Sequence, residues 1–329
     1  MIQFFAALFS LLCIASSGAA TPTAWPLGGQ GGWDLLTSDP STGRLFVTRA
    51  THVVVMDHDG KVVGDIPDTK GVHGVALVPR LDLGYASDGK SNSVTVFRLS
   101  DLSVVKTLPI SGTNPDAILY DSATSRIFVF NGKSHDASVL DAATGKEIGK
   151  IALAGKPEFA QADGRGKVYV NLEDKSSISV LDSRNLKVLD TWKLPVEGPT
   201  GLALDTTRGL LFAAGVGKMA VVDARTGKSV AVLPTGAGSD AASLDPTTGR
   251  VYVENGDDAT LTVAAADSVG NWHVLENIPT HRGAATGALD PVAHRLYLPS
   301  ADFAAKTGHV SKGDNLPGSF KILVVDLSR

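Results

Sequence analysis

The sequence predicts an all-β protein, a seven-bladed β-propeller, on three observations. A short segment recurs seven times, with a strand ending in Asp, a turn containing Gly and a second strand, as in Ser243–Val253. Asp and Pro favour such turns and Gly supplies the positive φ, so each copy is typical of a hairpin. The last copy lacks a fourth strand, and Thr23–Gly28 near the start of the chain resembles one. One aromatic residue also stands at the same place in each copy, and together these residues are Phe46, Tyr85, Phe128, Tyr169, Phe212, Tyr252 and Tyr297.

The spacing of these aromatic residues divides the chain into units of about 40 residues, which is the length of a propeller blade with four short strands. In unit five, for example, a third strand ends at Asp223 and a fourth covers Ser229–Leu233. Thr23–Gly28 then completes the last unit, so the ring closes without an exposed sheet edge. We therefore expect one domain over residues 21–329. The units run over residues 32–71, 72–112, 113–155, 156–198, 199–238, 239–283 and 284–329.

Residues 1–20 differ from the rest of the chain. Phe4–Ser16 is an apolar run, and small residues follow it up to Ala20, as in the cleavage region of a secretory signal peptide. We expect cleavage near Ala20 and a secreted or periplasmic protein. The single cysteine, Cys13, lies in this leader, and the sequence around it does not favour a lipid anchor.

Composition argues against two classes of partner. The net charge of −4 and the isoelectric point near 6.1 give no basic surface for nucleic acid. After the leader, no apolar run reaches the roughly 20 residues of a transmembrane helix. We expect a monomer whose partner is a protein or a small ligand.

The second strands also carry a family resemblance. Leu45–Arg49, Ile127–Asn131 and Val251–Asn255 are variants of the Tyr-Val-Thr-Asn signature. In this the chain is similar to the bacterial YVTN, or YncE-like, β-propellers, and the resemblance covers essentially all of residues 21–329. It implies the propeller fold and export. Single-stranded DNA binding is associated with one branch of the family, but this sequence has no stripe of Lys and Arg interleaved with aromatic residues.

A polar column stands at the start of the innermost strands, five residues before each turn Asp. Four carboxylates and one imidazole in it would ring one mouth of the central channel. Such a ring attracts a cationic ligand or a divalent cation such as Ca²⁺. The same residues could instead bond the neighbouring blade or face a water-filled channel. We predict ligand binding at Asp34, His73, Asp116, Glu158, Thr200 and Asp240, and metal binding at Asp34, His73, Asp116, Glu158 and Asp240.

Three functions remain open. The leading hypothesis is a non-catalytic scaffold that binds a ligand or a protein on the face with variable loops, because the sequence has no catalytic motif. The first alternative is a metal-dependent hydrolase or lactonase that uses the carboxylate ring. The second is a propeller holding a haem- or quinone-type cofactor. Two further features leave alternatives open. Lysines in the loops after several second strands, including Lys90, Lys133 and Lys218, could flank an anionic ligand or be simply solvated, and the long segment 299–319 in the last unit could be a lid or disordered.

Overall fold

Seven four-stranded antiparallel sheets make up the protein, which confirms the predicted seven-bladed β-propeller. The computed structural model describes residues 21–304 and 315–328. The predicted leader with Cys13 lies outside the described residues, as do residues 305–314 of the long segment of the last unit. Within the described part of the chain, the helices are two three-residue 3₁₀ turns, Pro79–Leu81 and Glu173–Lys175.

The first strand, β1 (Thr23–Pro26), belongs to blade 7, and the remaining strands fill the blades in chain order. Blades 1 and 2 contain β2 (Leu36–Asp39), β3 (Arg44–Arg49), β4 (His52–Met56), β5 (Val62–Ile66), β6 (Val72–Val78), β7 (Leu83–Asp88), β8 (Ser93–Arg98) and β9 (Val104–Pro109). Blades 3 and 4 contain β10 (Pro115–Asp121), β11 (Arg126–Asn131), β12 (Asp136–Asp141), β13 (Glu147–Ala152), β14 (Pro157–Ala162), β15 (Lys167–Leu172), β16 (Ser177–Asp182) and β17 (Lys187–Lys193).

The other three blades follow the same plan, with the innermost strand first in the chain. Blades 5 and 6 contain β18 (Leu202–Asp205), β19 (Leu210–Gly215), β20 (Lys218–Asp223), β21 (Ser229–Pro234), β22 (Ser239–Leu244), β23 (Val251–Asn255), β24 (Thr260–Ala266) and β25 (Trp272–Pro279). Blade 7 contains β26 (Ala288–Asp290), β27 (Arg295–Ser300), β28 (Lys321–Asp326) and β1.

Blade 7 closes the ring as predicted, because β1 pairs antiparallel with β28 and supplies its outermost strand. The Arg49 side chain secures the chain that follows β1. Its guanidinium donates to the carbonyl oxygens of Gly28 at 2.9 Å and Gln30 at 3.1 Å, and lies 3.9 Å from the ring centre of Phe320. Arg49 is buried, so these contacts with both ends of the chain are made away from water.

The turn Asp residues are held by the bonds that the repeat predicts. In blade 6, Asp245 accepts hydrogen bonds from the backbone nitrogen of Thr247 at 2.8 Å and from the hydroxyls of Thr247 and Thr248 at 2.6 and 2.9 Å. Burial acts to raise the pKa of Asp245, but these hydrogen bonds outweigh it and the pKa lies below its usual value. The turn therefore favours the ionised Asp.

The aromatic column forms the contacts between blades. All seven residues are buried, and two of their hydroxyls reach the next blade. Tyr85 donates to the Ala142 carbonyl at 2.7 Å, and Tyr169 donates to the Ala224 carbonyl at 3.0 Å. The repeat thus fixes both the packing and the spacing of adjacent blades.

Two tryptophans of the outermost strands also join blades, which the sequence did not reveal. Trp192 of β17 packs on Gly227 in the last turn of blade 5, where an added Cβ would lie 2.3 Å from the indole. Trp25 of β1 packs on Gly60 in the corresponding turn of blade 1, with a distance of 2.4 Å. The glycine leaves the space that the indole of the preceding blade fills.

Candidate functional site at the channel mouth

The upper face of the propeller carries the loops that join blades and the loops between second and third strands. Each innermost strand starts at this face, and in blades 2, 3, 4 and 6 its pairing with the second strand shifts register there. A bulge of this kind bends the strand and redirects a side chain. The four shifts span residues 72–75, 115–118, 157–160 and 239–241, and they contain His73, Asp116, Glu158 and Asp240.

Asp34, His73 and Asp116 meet at this end of the channel. His73 Nδ1 donates to Asp34 Oδ2 at 2.5 Å and lies 3.6 Å from Asp116 Oδ1. One potential ligand atom from each residue falls within 4.8 Å of the others. Their side chains are between one fifth and about one quarter exposed, so the group is accessible but shielded. Three successive blades therefore build one polar cluster.

Glu158 lies beside this cluster and forms an ion pair that the sequence did not predict. Lys156 Nζ is 2.7 Å from Glu158 Oε1 and 2.5 Å from Glu173 Oε2. Burial raises the pKa of Glu158 to about 8, and the Asp116 carboxylate acts in the same direction against the pull of Lys156. The pKa of Lys156 is raised, because its bonds to the two glutamates outweigh its burial. Lys156 thus supplies a positive charge on the blade 4 side of the channel mouth.

A cavity at the channel mouth is lined by Asp116 and Glu158 on one side. Thr200 and Asp240 line it on the side of blades 5 and 6. The Thr200 hydroxyl donates to the Ser239 carbonyl at 3.1 Å, which joins adjacent blades. In blade 7 the predicted column has Ala285, but Thr286 supplies the lining side chain, and its hydroxyl donates to the Asp34 carbonyl at 2.9 Å. The cavity measures about 230 Å³, and its polar lining consists of Asp34, Asp116, Lys156, Glu158, Glu173, Thr200, Asp240 and Thr286.

A buried carboxyl lies near Asp240. Glu254 of β23 is fully buried. Burial raises the pKa of Glu254 to about 8, and the charge of Asp240 adds to the effect, against opposing contributions from the Glu254 backbone and the Ser243 side chain. The surroundings of Glu254 therefore favour its protonated form.

A second cavity of about 620 Å³ adjoins the first on the upper face of blades 1, 2 and 3. The two cavities share Asp34. The polar residues that line the larger cavity are Asp34, His73, Lys90, Asn92, Thr113, Asn114 and Lys133, and Trp33 forms part of its apolar wall.

All six predicted ligand-binding residues thus lie at these two cavities. Lys156, Glu173 and Thr286 were missed, because none of them falls in the predicted column. Lys156 stands two residues before Glu158, and a Lys-Pro-Glu sequence at the start of an innermost strand could have indicated an ion pair.

This architecture is that of a seven-bladed β-propeller, a fold that the chain shares with WD40-repeat structures. No protein-family model matches the chain, and no curated protein matches it. Among solved structures, the hydrazine synthase of Kuenenia stuttgartiensis matches with a TM-score of 0.71 and 16% identity, over 87% of this chain and 95% of that one. A chain of the mitotic checkpoint complex matches with a TM-score of 0.76 and 15% identity over 98% of both chains. The WD40 repeats of RRP9 match with a TM-score of 0.77 and 10% identity, over 94% of this chain and 99% of that one.

These likenesses are in fold. The specific resemblance to the YVTN family rests on the signature residues alone. In the described residues, no helix has the length and apolar character needed to span a bilayer.

Proposed function

We propose that this protein is a non-catalytic binding propeller that holds a small ligand at the channel mouth of its upper face. The observation that carries the proposal is the meeting of Asp34, His73 and Asp116, from three blades, where two cavities adjoin. Ligand sites are concave and carry a few convergent polar groups, as here. The WD40-like fold supports a scaffold or binding role as well.

We also propose that the protein belongs to the YVTN propellers and is exported. The repeated Tyr-Val-Thr-Asn variants support membership of the YVTN propellers, and the apolar leader supports export of a single domain over residues 21–329. Expression with the native leader tests the second point. We expect a mature protein that begins near Thr21, as measured by intact mass. A chain that retains residues 1–20 would contradict export through this leader.

A thermal-shift comparison tests the binding site. Wild-type protein is screened with amino acids, sugars, carboxylates and divalent cations, and each ligand that raises the melting temperature is repeated on Asp116→Asn and Arg225→Ala. Asp116 lies in the channel mouth, whereas Arg225 lies in an exposed turn on the opposite face. We expect the shift to disappear in Asp116→Asn and to persist in Arg225→Ala. Shifts that are equal in both variants would contradict a site at the mouth.

A protein partner would bind the same loops. The two variants can therefore also test whether a protein binds at the channel mouth. Binding of a purified candidate partner that Asp116→Asn weakens would place the partner at the mouth. One of the fold neighbours is a chain of the mitotic checkpoint complex, which is a reason to include protein partners in the test.

One alternative function has an observation in its favour, a metal-dependent hydrolase. Two carboxylates and one imidazole within 4.8 Å fit a first-row divalent ion better than Ca²⁺, which prefers six to eight oxygen ligands. Asp34, His73 and Asp116 would hold such an ion, and a bound ion would activate water. The pKa of Glu158 is raised to about 8, so its carboxyl beside Asp116 could take up and release a proton close to neutral pH.

Metal analysis separates this alternative from the leading proposal. Protein is loaded with Zn²⁺ or Mn²⁺, desalted and measured by mass spectrometry for metal content, with Asp116→Asn as the site variant and Asp223→Asn as a control from the opposite face. One equivalent that only Asp116→Asn loses supports the metal site and justifies a screen of lactones and esters. Metal retained equally by both variants would remove the hydrolase alternative.

A further inference from the structure

The larger cavity has a size suited to a small metabolite. Its volume of about 620 Å³ lies within the usual range for small-molecule sites. It opens on the upper face and reaches the channel mouth at Asp34 and His73. Blades 1, 2 and 3 all contribute to its wall, so the chemistry of these residues defines what it can hold.

The charged side chains at its rim are lysines without partners. Lys90 follows β7 and Lys133 follows β11, and both are exposed at the cavity. Neither forms an ion pair with any residue that the structure describes. Lysines nearby on the upper face differ: Lys150 lies 3.2 Å from Asp136, Lys156 lies 2.7 Å from Glu158 and Lys175 lies 2.9 Å from Asp174. Both lysines that line this cavity are therefore left without a neutralising partner in the described residues.

The inner wall adds a hydrogen-bond donor. The Nδ1–H of His73 is used in the bond to Asp34, so its Nε2, which lies 3.5 Å from the side-chain nitrogen of Asn114, is an acceptor. Asn92 accepts the backbone N–H of Asn114 at 2.8 Å through its carbonyl oxygen, and its amide nitrogen has no partner in the described residues. Among the described residues that line the cavity, the carboxylate is that of Asp34, which already accepts the bond from His73. The Asn92 amide can thus donate a hydrogen bond to a ligand, and the Asp34 carboxylate is already hydrogen-bonded to His73.

We propose that this cavity binds a small anion that carries a carboxylate or phosphate group, with Lys90 and Lys133 contacting the oxyanion and Asn92 and His73 contacting the rest of the ligand. The inference deepens the proposed function and rests on it, because it names the chemical class of the ligand at the same site. Lysines are suited to this role as mobile point charges that approach an oxyanion from several directions. The attraction between exposed charges weakens as salt rises, so binding should depend on ionic strength.

Isothermal titration tests the inference on the full protein with two probes, citrate and inorganic phosphate, in buffer of low ionic strength. The site variant is the double substitution Lys90→Ala and Lys133→Ala. The matched control is Lys218→Ala, which removes a lysine at the start of β20, directly after the corresponding loop of blade 5; Lys218 does not line the cavity. We expect at least one probe to bind, the double variant to bind it at least ~10-fold more weakly, and the control to stay within ~2-fold of wild type. The probe that binds more tightly identifies carboxylate or phosphate as the preferred group.

The outcomes distinguish failure of the anionic ligand class from failure of the binding site itself. Equal affinity in wild type and the double variant means an adventitious ion only, and overturns the inference. If neither anion binds, but another ligand raises the melting temperature and Asp116→Asn removes that shift, the anionic class is wrong and the binding site stands. If no ligand of the thermal-shift screen and neither anion binds, both proposals fail. Both lysines are exposed, so the double variant should keep the wild-type melting temperature, which checks its folding.

Discussion

Thr95 donates its hydroxyl to Asp88 at 2.7 Å, linking the end of β7 to β8 inside blade 2. Blade 6 makes the same link with an amide, since Asn255 donates to the hydroxyls of Thr260 at 3.2 Å and Thr262 at 2.9 Å. Asn131 takes this position in blade 3. Asp88 is fully buried, and its second oxygen has no partner in the described residues. Blade 2 thus holds a carboxyl where two other blades hold an amide.

This carboxyl makes stability depend on pH. Burial raises the pKa of Asp88 to about 7, against the bonds from Thr95 and Ser93. In the unfolded chain the same group ionises near pH 4. Between about pH 4 and pH 7 the folded state therefore holds a proton that the unfolded state releases, so the contribution of Asp88 to stability falls as pH rises through this window and stays low above it.

We predict that Asp88→Asn stabilises the protein at high pH. The amide carries no charge to bury and can make the bonds that Asn255 makes in blade 6. The free energy of unfolding should rise by about 2–4 kcal/mol at pH 8 and by much less at pH 4. Urea unfolding at both pH values measures the difference, with the exposed Asp59→Asn as control. An equal change at the two pH values would contradict a neutral Asp88 in the folded state.

Glu254 gives a second pH-dependent prediction at a separate site. Its pKa is raised to about 8, so its contribution to stability is lost as pH rises from about 4.5, the value in the unfolded chain, to about 8. Glu254→Gln removes the titration. The stability of the variant relative to wild type should therefore be higher at pH 9 than at pH 5, as measured by urea unfolding. A relative stability that is the same at both pH values would show that Glu254 does not change its protonation on folding.

We predict that any side chain at position 227 destabilises the protein. The φ of Gly227 is +73°, and an added Cβ would lie 2.3 Å from the Trp192 indole of the preceding blade. Gly227→Ala should cost about 2–4 kcal/mol, from backbone strain together with displacement of the indole. Gly164 is the matched control, since its φ is +68° and nothing lies within 4 Å of the added Cβ. Gly164→Ala should cost about 1–2 kcal/mol, and an equal cost in both variants would mean that Trp192 does not fill this space.

Arg49 is predicted to hold the ring closed. Arg49→Ala removes the bonds to the carbonyls of Gly28 and Gln30 and the contact with the Phe320 ring. The melting temperature should fall, and the amides of β1 should exchange with deuterium faster than those of an inner strand such as β11. The exposed Arg225→Ala should change neither. Unaltered exchange in β1 would show that Arg49 stabilises blade 1 without acting on closure.

The repeat predicted the fold because each unit contains the same turn-forming and packing residues. The turn Asp, the glycine and the buried aromatic residue recur, and the missing fourth strand pointed to Thr23–Gly28, of which Thr23–Pro26 pairs. The channel mouth was predicted only as a column of residues. The bulges at His73, Asp116, Glu158 and Asp240 set the directions of these side chains, and no sequence pattern marked them. The pairing of Lys156 with two glutamates depends on distances that alignment of the units does not contain.

The pairing of β1 with β28 also sets the order of events during synthesis. Thr23 faces Val324, so one strand of this contact leaves the ribosome long before the other. Blades 1 to 6 are each continuous in the chain and can form as they emerge, whereas the seventh has to wait for the final strand. Until then the nascent chain is an open arc with β1 unpaired. Completion of the ring therefore requires that synthesis has passed β28, and a chain that stops before β28 would present the free strand edges of its incomplete arc to chaperones and proteases.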